Sequence, residues 1–177
     1  MLGPHLRDED YTMKRQSLLL AATLVAGAFC APVAVAGEDD RLNSLVNELR
    51  HATAPFHSID AAGAAGWATP LTGCIAHPDP AVGGMGYHYA NETELADGTV
   101  DPLRPEVLVY APKPGGGLQL VAVEYIVFTQ LNPVPPELFG QTFHLNPGIN
   151  AWVLHAWVWK HNASGLFADF NPGVKCP

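Results

Sequence analysis

The sequence predicts an α+β fold: N-terminal helices packed on one face of an antiparallel β-meander of about four strands or more. Three observations predict it. Between residues 40 and 52, Leu42, Leu45, Val46, Leu49 and Ala52 fall at the spacing of one apolar helical stripe. From residue 84 onward the texture changes to short β-rich runs separated by Gly and Pro turns. The chain is 48% hydrophobic, enough for a packed core, and its 17 glycines and 16 prolines demand many turns. Helices first and strands afterwards is the order in which helices gather on one side of an antiparallel sheet.

In chain order, residues 1–36 read as a secretory signal peptide. Met13-Lys14-Arg15-Gln16 is a basic head, residues 17–33 form an apolar run, and Ala34-Val35-Ala36 supplies small residues for cleavage after Ala36. Asp8, Glu9 and Asp10 suit a signal head poorly, so Met13 is the expected true start. Pro32 and the acidic Glu38-Asp39-Asp40 argue against a retained membrane helix. Cys30 follows Phe29 where a lipidation signal needs a small residue, so no lipid anchor is expected. Residues 37–177 then form a single exported domain, periplasmic or extracellular.

The helix at 40–52 has acidic residues at its start and Arg50 and His51 at its end, as the helix dipole prefers. Pro55 stops it. Ser58 can cap a second, short helix through Ile59, Ala61, Ala62, Ala64 and Ala65, which Gly66 and Pro70 end. Strands are expected at 85–90, 106–111, 118–128 and 151–160. Asp97-Gly98 reads as a turn, and Lys113-Pro114-Gly115-Gly116-Gly117 as a hairpin loop. Asn132-Pro133-Val134-Pro135-Pro136 is an extended loop, because its prolines cannot join a ladder. Cys74 and Cys176 are the cysteines of the mature chain, and in an oxidising compartment they are expected to pair.

Several of these runs resemble an uncharacterised family of exported bacterial proteins. The matching segments are Gly84-Met85-Gly86-Tyr87-His88-Tyr89, Pro105-Glu106-Val107-Leu108-Val109-Tyr110, Val123-Glu124-Tyr125, Leu154-His155-Ala156-Trp157-Val158-Trp159, and the tail from Asn162 through Asn171-Pro172 to Cys176. The chain departs from the family pattern at Ala163, where the family has proline. The resemblance implies a bacterial, exported origin and no particular activity.

Charge excludes some partners. The formal charge is −8, and it stays there without residues 1–36, since Arg7, Lys14 and Arg15 balance Asp8, Glu9 and Asp10. Such a surface repels nucleic acid and anionic membranes alike. A small ligand or an envelope protein is the expected kind of partner.

One residue asks for an explanation. Alternation along 120–128 puts Val121, Val123, Tyr125 and Val127 on one face, and Ala122, Glu124, Ile126 and Phe128 on the other. Both faces are apolar except at Glu124, so this carboxylate is expected to be buried and to need a partner, a proton or a cation. His88 lies between two tyrosines on a short strand, and His155 shares a face with Val153, Trp157 and Trp159. If these strands approach, His88, Glu124 and His155 form a divalent-metal site with open positions, with His144 and Met85 as further ligands. Without metal, the same trio is a structural His–Glu–His network in a non-catalytic envelope ligand-binding or interaction module.

Other chemistry lacks support. There is no Gly-x-Ser-x-Gly and no His-Glu-x-x-His. Glu92 and Glu94 read as a solvated strand end rather than a glycosidase pair. Gly115-Gly116-Gly117 precedes a strand and not a helix, so it is no phosphate cradle. Asn91-Glu92-Thr93 and Asn162-Ala163-Ser164 match glycosylation acceptors that a bacterial source would leave idle. Trp152, Trp157, Trp159, Phe167 and Phe170 read either as core or as the wall of an apolar pocket, with Tyr87, Tyr125 and Trp157 facing a small ligand.

Overall fold

The computed structural model describes residues 37–177; the expected signal segment lies outside the described residues. Helix α1 (Glu38–Thr53) carries its acidic residues in the first turn and Arg50 and His51 in the last. A short 3-10 turn at Ala54–His57 follows, with Pro55 at its start. Helix α2 (Ile59–Ala64) begins where expected, with the Ser58 hydroxyl accepting from the Ala61 amide.

The strands are β1 (Trp67–Pro70), β2 (Ile75–Ala76), β3 (Gly84–Asn91), β4 (Val107–Pro112), β5 (Leu118–Phe128), β6 (Glu137–Leu138), β7 (Gln141–Thr142), β8 (His144–Asn146) and β9 (Ala151–Ala156). The main sheet has the order β1-β3-β4-β5-β9-β8, with β2 also paired to β3, and every pairing is antiparallel. β6 and β7 form a separate small hairpin. Among the described residues no helix is long and apolar enough to cross a membrane.

Helices cover one face of the sheet. Val46 and Leu49 of α1 and Ala62 of α2 pack with Leu108, Tyr110, Val123, Tyr125 and Leu154. The opposite face carries Val107, Val109, Ala122, Ile126 and Val153, with Trp157 and Val174 of the C-terminal segment over it. Cys74 and Cys176 are bonded, which ties the tail to the loop after β1. The tail is further held by the Asn171 side chain, which donates to the His161 carbonyl, and by its backbone bridge to Gly84.

The structure corrects four local expectations. Glu92 and Glu94 are not a strand end. They open a third helix, α3 (Glu92–Asp97), where the Asn91 side chain caps the Thr93 amide, Gly98 closes the end in the left-handed region, and Glu94 pairs with Arg104. The last strand stops at Ala156 rather than 160, so Trp159 turns to the helix side and donates from Nε1 to the Thr53 hydroxyl. Val121 lies on the Ala122 side and not with Val123. Tyr110 pairs with Leu120 and Val109 with Ala122, which leaves Val121 as the extra residue of a bulge. Finally β1, β2 and β8 add short strands that brief, mixed sequences did not signal.

Candidate metal centre

The face of the sheet opposite the helices carries a cluster of buried polar groups. Glu124 pairs directly with His155 across β5 and β9, and with Val107 on its other side. His88 lies one strand further away, on β3 opposite Val109. Two strand spacings, roughly 9.6 Å, therefore separate the β3 and β5 backbones. The long His88 and Glu124 side chains close that gap above β4, where Val107 and Val109 are small enough to form a floor. Glycine makes a second adjustment. Gly86 has φ +112°, and a Cβ there would meet the Tyr110 carbonyl oxygen at 2.4 Å. This irregularity lets Met85 and His88, three residues apart, line the same cavity.

The three residues are 3% (His88), 6% (Glu124) and 1% (His155) exposed. His88 Nε2 lies 3.4 Å from His155 Nε2 and 3.5 Å from Glu124 Oε2. His155 Nδ1 is 3.7 Å from Glu124 Oε1. One ligating atom from each residue lies within 4.8 Å of the others. Two ligands about 2.1 Å from a tetrahedral ion are separated by roughly 3.4 Å, which is the spacing of the closest pairs here.

Behind each imidazole stands an oxygen. The Thr72 hydroxyl is 3.1 Å from His88 Nδ1. Asp169 Oδ1 is 3.7 Å from His155 Nδ1, and its Oδ2 is 3.3 Å from His144 Nε2. At 3.7 Å the contact is electrostatic rather than a hydrogen bond, and among the buried side-chain polar atoms described, His155 Nδ1 has no hydrogen-bond partner. Trp157 stacks on the His155 ring, with centroids 6.2 Å apart and planes 15° from parallel.

No family model, curated protein or solved structure matches this chain. The chemistry of the site is therefore read from its own residues.

Burial is the dominant influence on charge here. It pushes the His88 pKa down to about 3, helped by the charge of His155, so this ring is neutral and its nitrogen free to ligate. Burial pushes Glu124 up, against the attraction of His155. Burial also opposes a charge on His155, but the Glu124 carboxylate and Asp169 outweigh it and move its pKa up. Asp169 is pulled below the usual carboxylate range by the His155 ring in front of it, against partial burial and with His144 adding to the pull.

Of the residues expected at the site, His88, Glu124 and His155 come together. His144 and Met85 line the adjoining cavity, His144 through its contact with Asp169. Tyr87, Tyr125 and Trp157, expected to face a small ligand, do not line this cavity. Alternation turns Tyr87 and Tyr125 to the helix side, where the Tyr125 hydroxyl donates to the Pro102 carbonyl at 2.7 Å. Trp157 stands behind His155 and outside the cavity wall.

Thr72 and Asp169 escaped the sequence reading because both arrive on irregular segments, with no periodicity to place them. Glu106 was read only as the start of a strand. It is 1% exposed, and its Oε2 accepts from the Ile126 amide at 3.1 Å, just before β4 begins and where β5 continues past it. Burial first, and the nearby Asp97 and Glu94 charges after it, push its pKa up to about 8.

Proposed function

We propose that this protein is an exported bacterial domain that binds one divalent metal ion through His88, Glu124 and His155. The observation that carries the reading is the convergence of two imidazole nitrogens and a carboxylate oxygen, all buried, at separations of 3.4 and 3.5 Å. Two imidazoles and one carboxylate suit zinc or iron(II), and a three-ligand set leaves positions open for water or substrate. Thr72 and Asp169 stand where the second nitrogen of each metal-binding histidine needs an oxygen to fix its tautomer.

The competing reading, a metal-free His–Glu–His network, fits the distances less well, because contacts of 3.4–3.7 Å are long for hydrogen bonds. Export is supported by the signal-like residues 1–36, by the Cys74–Cys176 bond and by the resemblance of the sequence motifs to an exported family.

Elemental analysis of protein purified without chelator tests the metal. Near-stoichiometric zinc or iron, or a rise in melting temperature on adding zinc, iron(II), manganese or copper, is expected. Protein that carries no metal and shows no shift with any of the four would end this reading.

A further inference from the structure

We infer that the cavity beside these three residues takes a small molecule with an apolar body and a single oxygen-donor head, the head directed at the metal; this rests on the metal reading above. The cavity has a volume of about 310 Å³, at the small end of ligand pockets, which run from roughly 300 to 1,000 Å³. Most of its polar side chains are connected. His144, Asp169, His155, Glu124 and His88 form one chain of contacts of 3.3–3.7 Å, Thr72 joins it through His88, and Asn146 stands apart, its side chain accepting from the Gly148 amide. Much of the remaining wall is apolar, from Leu71, Ile75, Met85, Ile126, Phe128 and Val153.

That one-sided polarity selects the occupant. A sugar, nucleotide or peptide carries polar groups along its whole length and would leave them unpaired against aliphatic walls. An apolar body with one polar end leaves none. The charge of the site sets the head. With the divalent ion in place, Glu124 and Asp169 offset its two positive charges, so the site offers no net charge for a dianion such as a phosphate ester and the head is neutral or singly charged. The cavity also reaches the surface between apolar residues: Leu71 and Ile149 both line it, and they are 43% and 45% exposed. Large apolar side chains held in water at a cavity mouth are accounted for by a ligand that covers them.

The test is calorimetric titration with n-alkyl hydroxamic acids, from acetyl to octanoyl, against zinc-loaded protein and against chelator-treated protein. Affinity is expected to rise roughly fourfold per added methylene until the cavity is full, with zinc adding a constant factor along the series. Affinity independent of chain length would overturn the apolar occupant, whether or not zinc binds. A normal chain-length gain that is identical in zinc-loaded and chelator-treated protein would overturn the placement of the head at the metal, whereas protein that takes up no zinc would overturn the metal reading itself. Ile149→Glu, at an exposed position that folding does not need, is expected to weaken the longest hydroxamates at least tenfold with zinc stoichiometry unchanged. Unaltered binding of the long chains by that variant would overturn entry between Leu71 and Ile149.

Discussion

Glu124 and His155 are direct cross-strand partners on β5 and β9, with their side chains on the face of the sheet away from the helices. A carboxylate and an imidazole in that relation, both under a tenth exposed, set the electrostatics of the whole site. Burial opposes charge on both groups and raises the pKa of Glu124, while the carboxylate and Asp169 move the imidazole's pKa up against it.

Glu124→Gln separates structure from binding. The amide keeps the shape but removes one partner of the buried pair with His155, so metal-free stability should fall, by up to about 3–5 kcal/mol where His155 stays protonated. The metal-induced rise in melting temperature should vanish. Denaturant unfolding, with and without zinc, reads both.

Thr72→Val and Asp169→Asn test the groups behind the rings. Each leaves the three ligating residues in place and should weaken metal binding roughly 10–100-fold. Competition with a chelator of known affinity measures it, and circular dichroism should show an unchanged fold.

Metal affinity should strengthen as pH rises. Against burial, Glu124 and Asp169 move the His155 pKa up from 6.5, so this ligand holds its proton to higher pH than a free imidazole and must lose it when metal binds. His88, held at about 3, has no proton to lose there. The apparent affinity should therefore increase by up to about tenfold per pH unit over the range in which His155 still holds its proton, read by zinc titration at a series of pH values.

Glu106 gives stability a separate pH dependence. Its folded pKa of about 8 lies above its ordinary value of 4.5, so the folded state holds the proton more tightly. The contribution is complete below about pH 4.5 and is lost as pH rises toward 8. Glu106→Gln should flatten this loss and gain a few kcal/mol on the parent between pH 5 and pH 9, measured by urea unfolding at both pH values.

Reduction of the Cys74–Cys176 bond should destabilise the domain by roughly 4–5 kcal/mol on the chain-entropy model, since the two cysteines are 102 residues apart. Metal affinity should fall as well, because the bond secures the tail that delivers Asp169. Cys74→Ser with Cys176→Ser should reproduce both effects in unfolding and zinc-competition measurements.

What could be read from the sequence was set by short-range periodicity. The apolar stripe of α1, the Ser58 cap of α2 and the full span of β5 follow from residue spacing, and alternation alone gave Glu124 a buried side. The pairing of Cys74 with Cys176 needed only a count and a compartment. Tertiary structure decided the rest. Strand order and register put His155 opposite Glu124 and let His88 reach across β4. The bulge at Val121 and the termination of β9 at Ala156 depend on neighbouring strands and the tail, so alternation misassigned Val121 and Trp159. Thr72 and Asp169 sit on loops whose paths are fixed by distant bonds. A side chain's direction along a strand is local geometry, whereas its company across a sheet is a property of the closed chain.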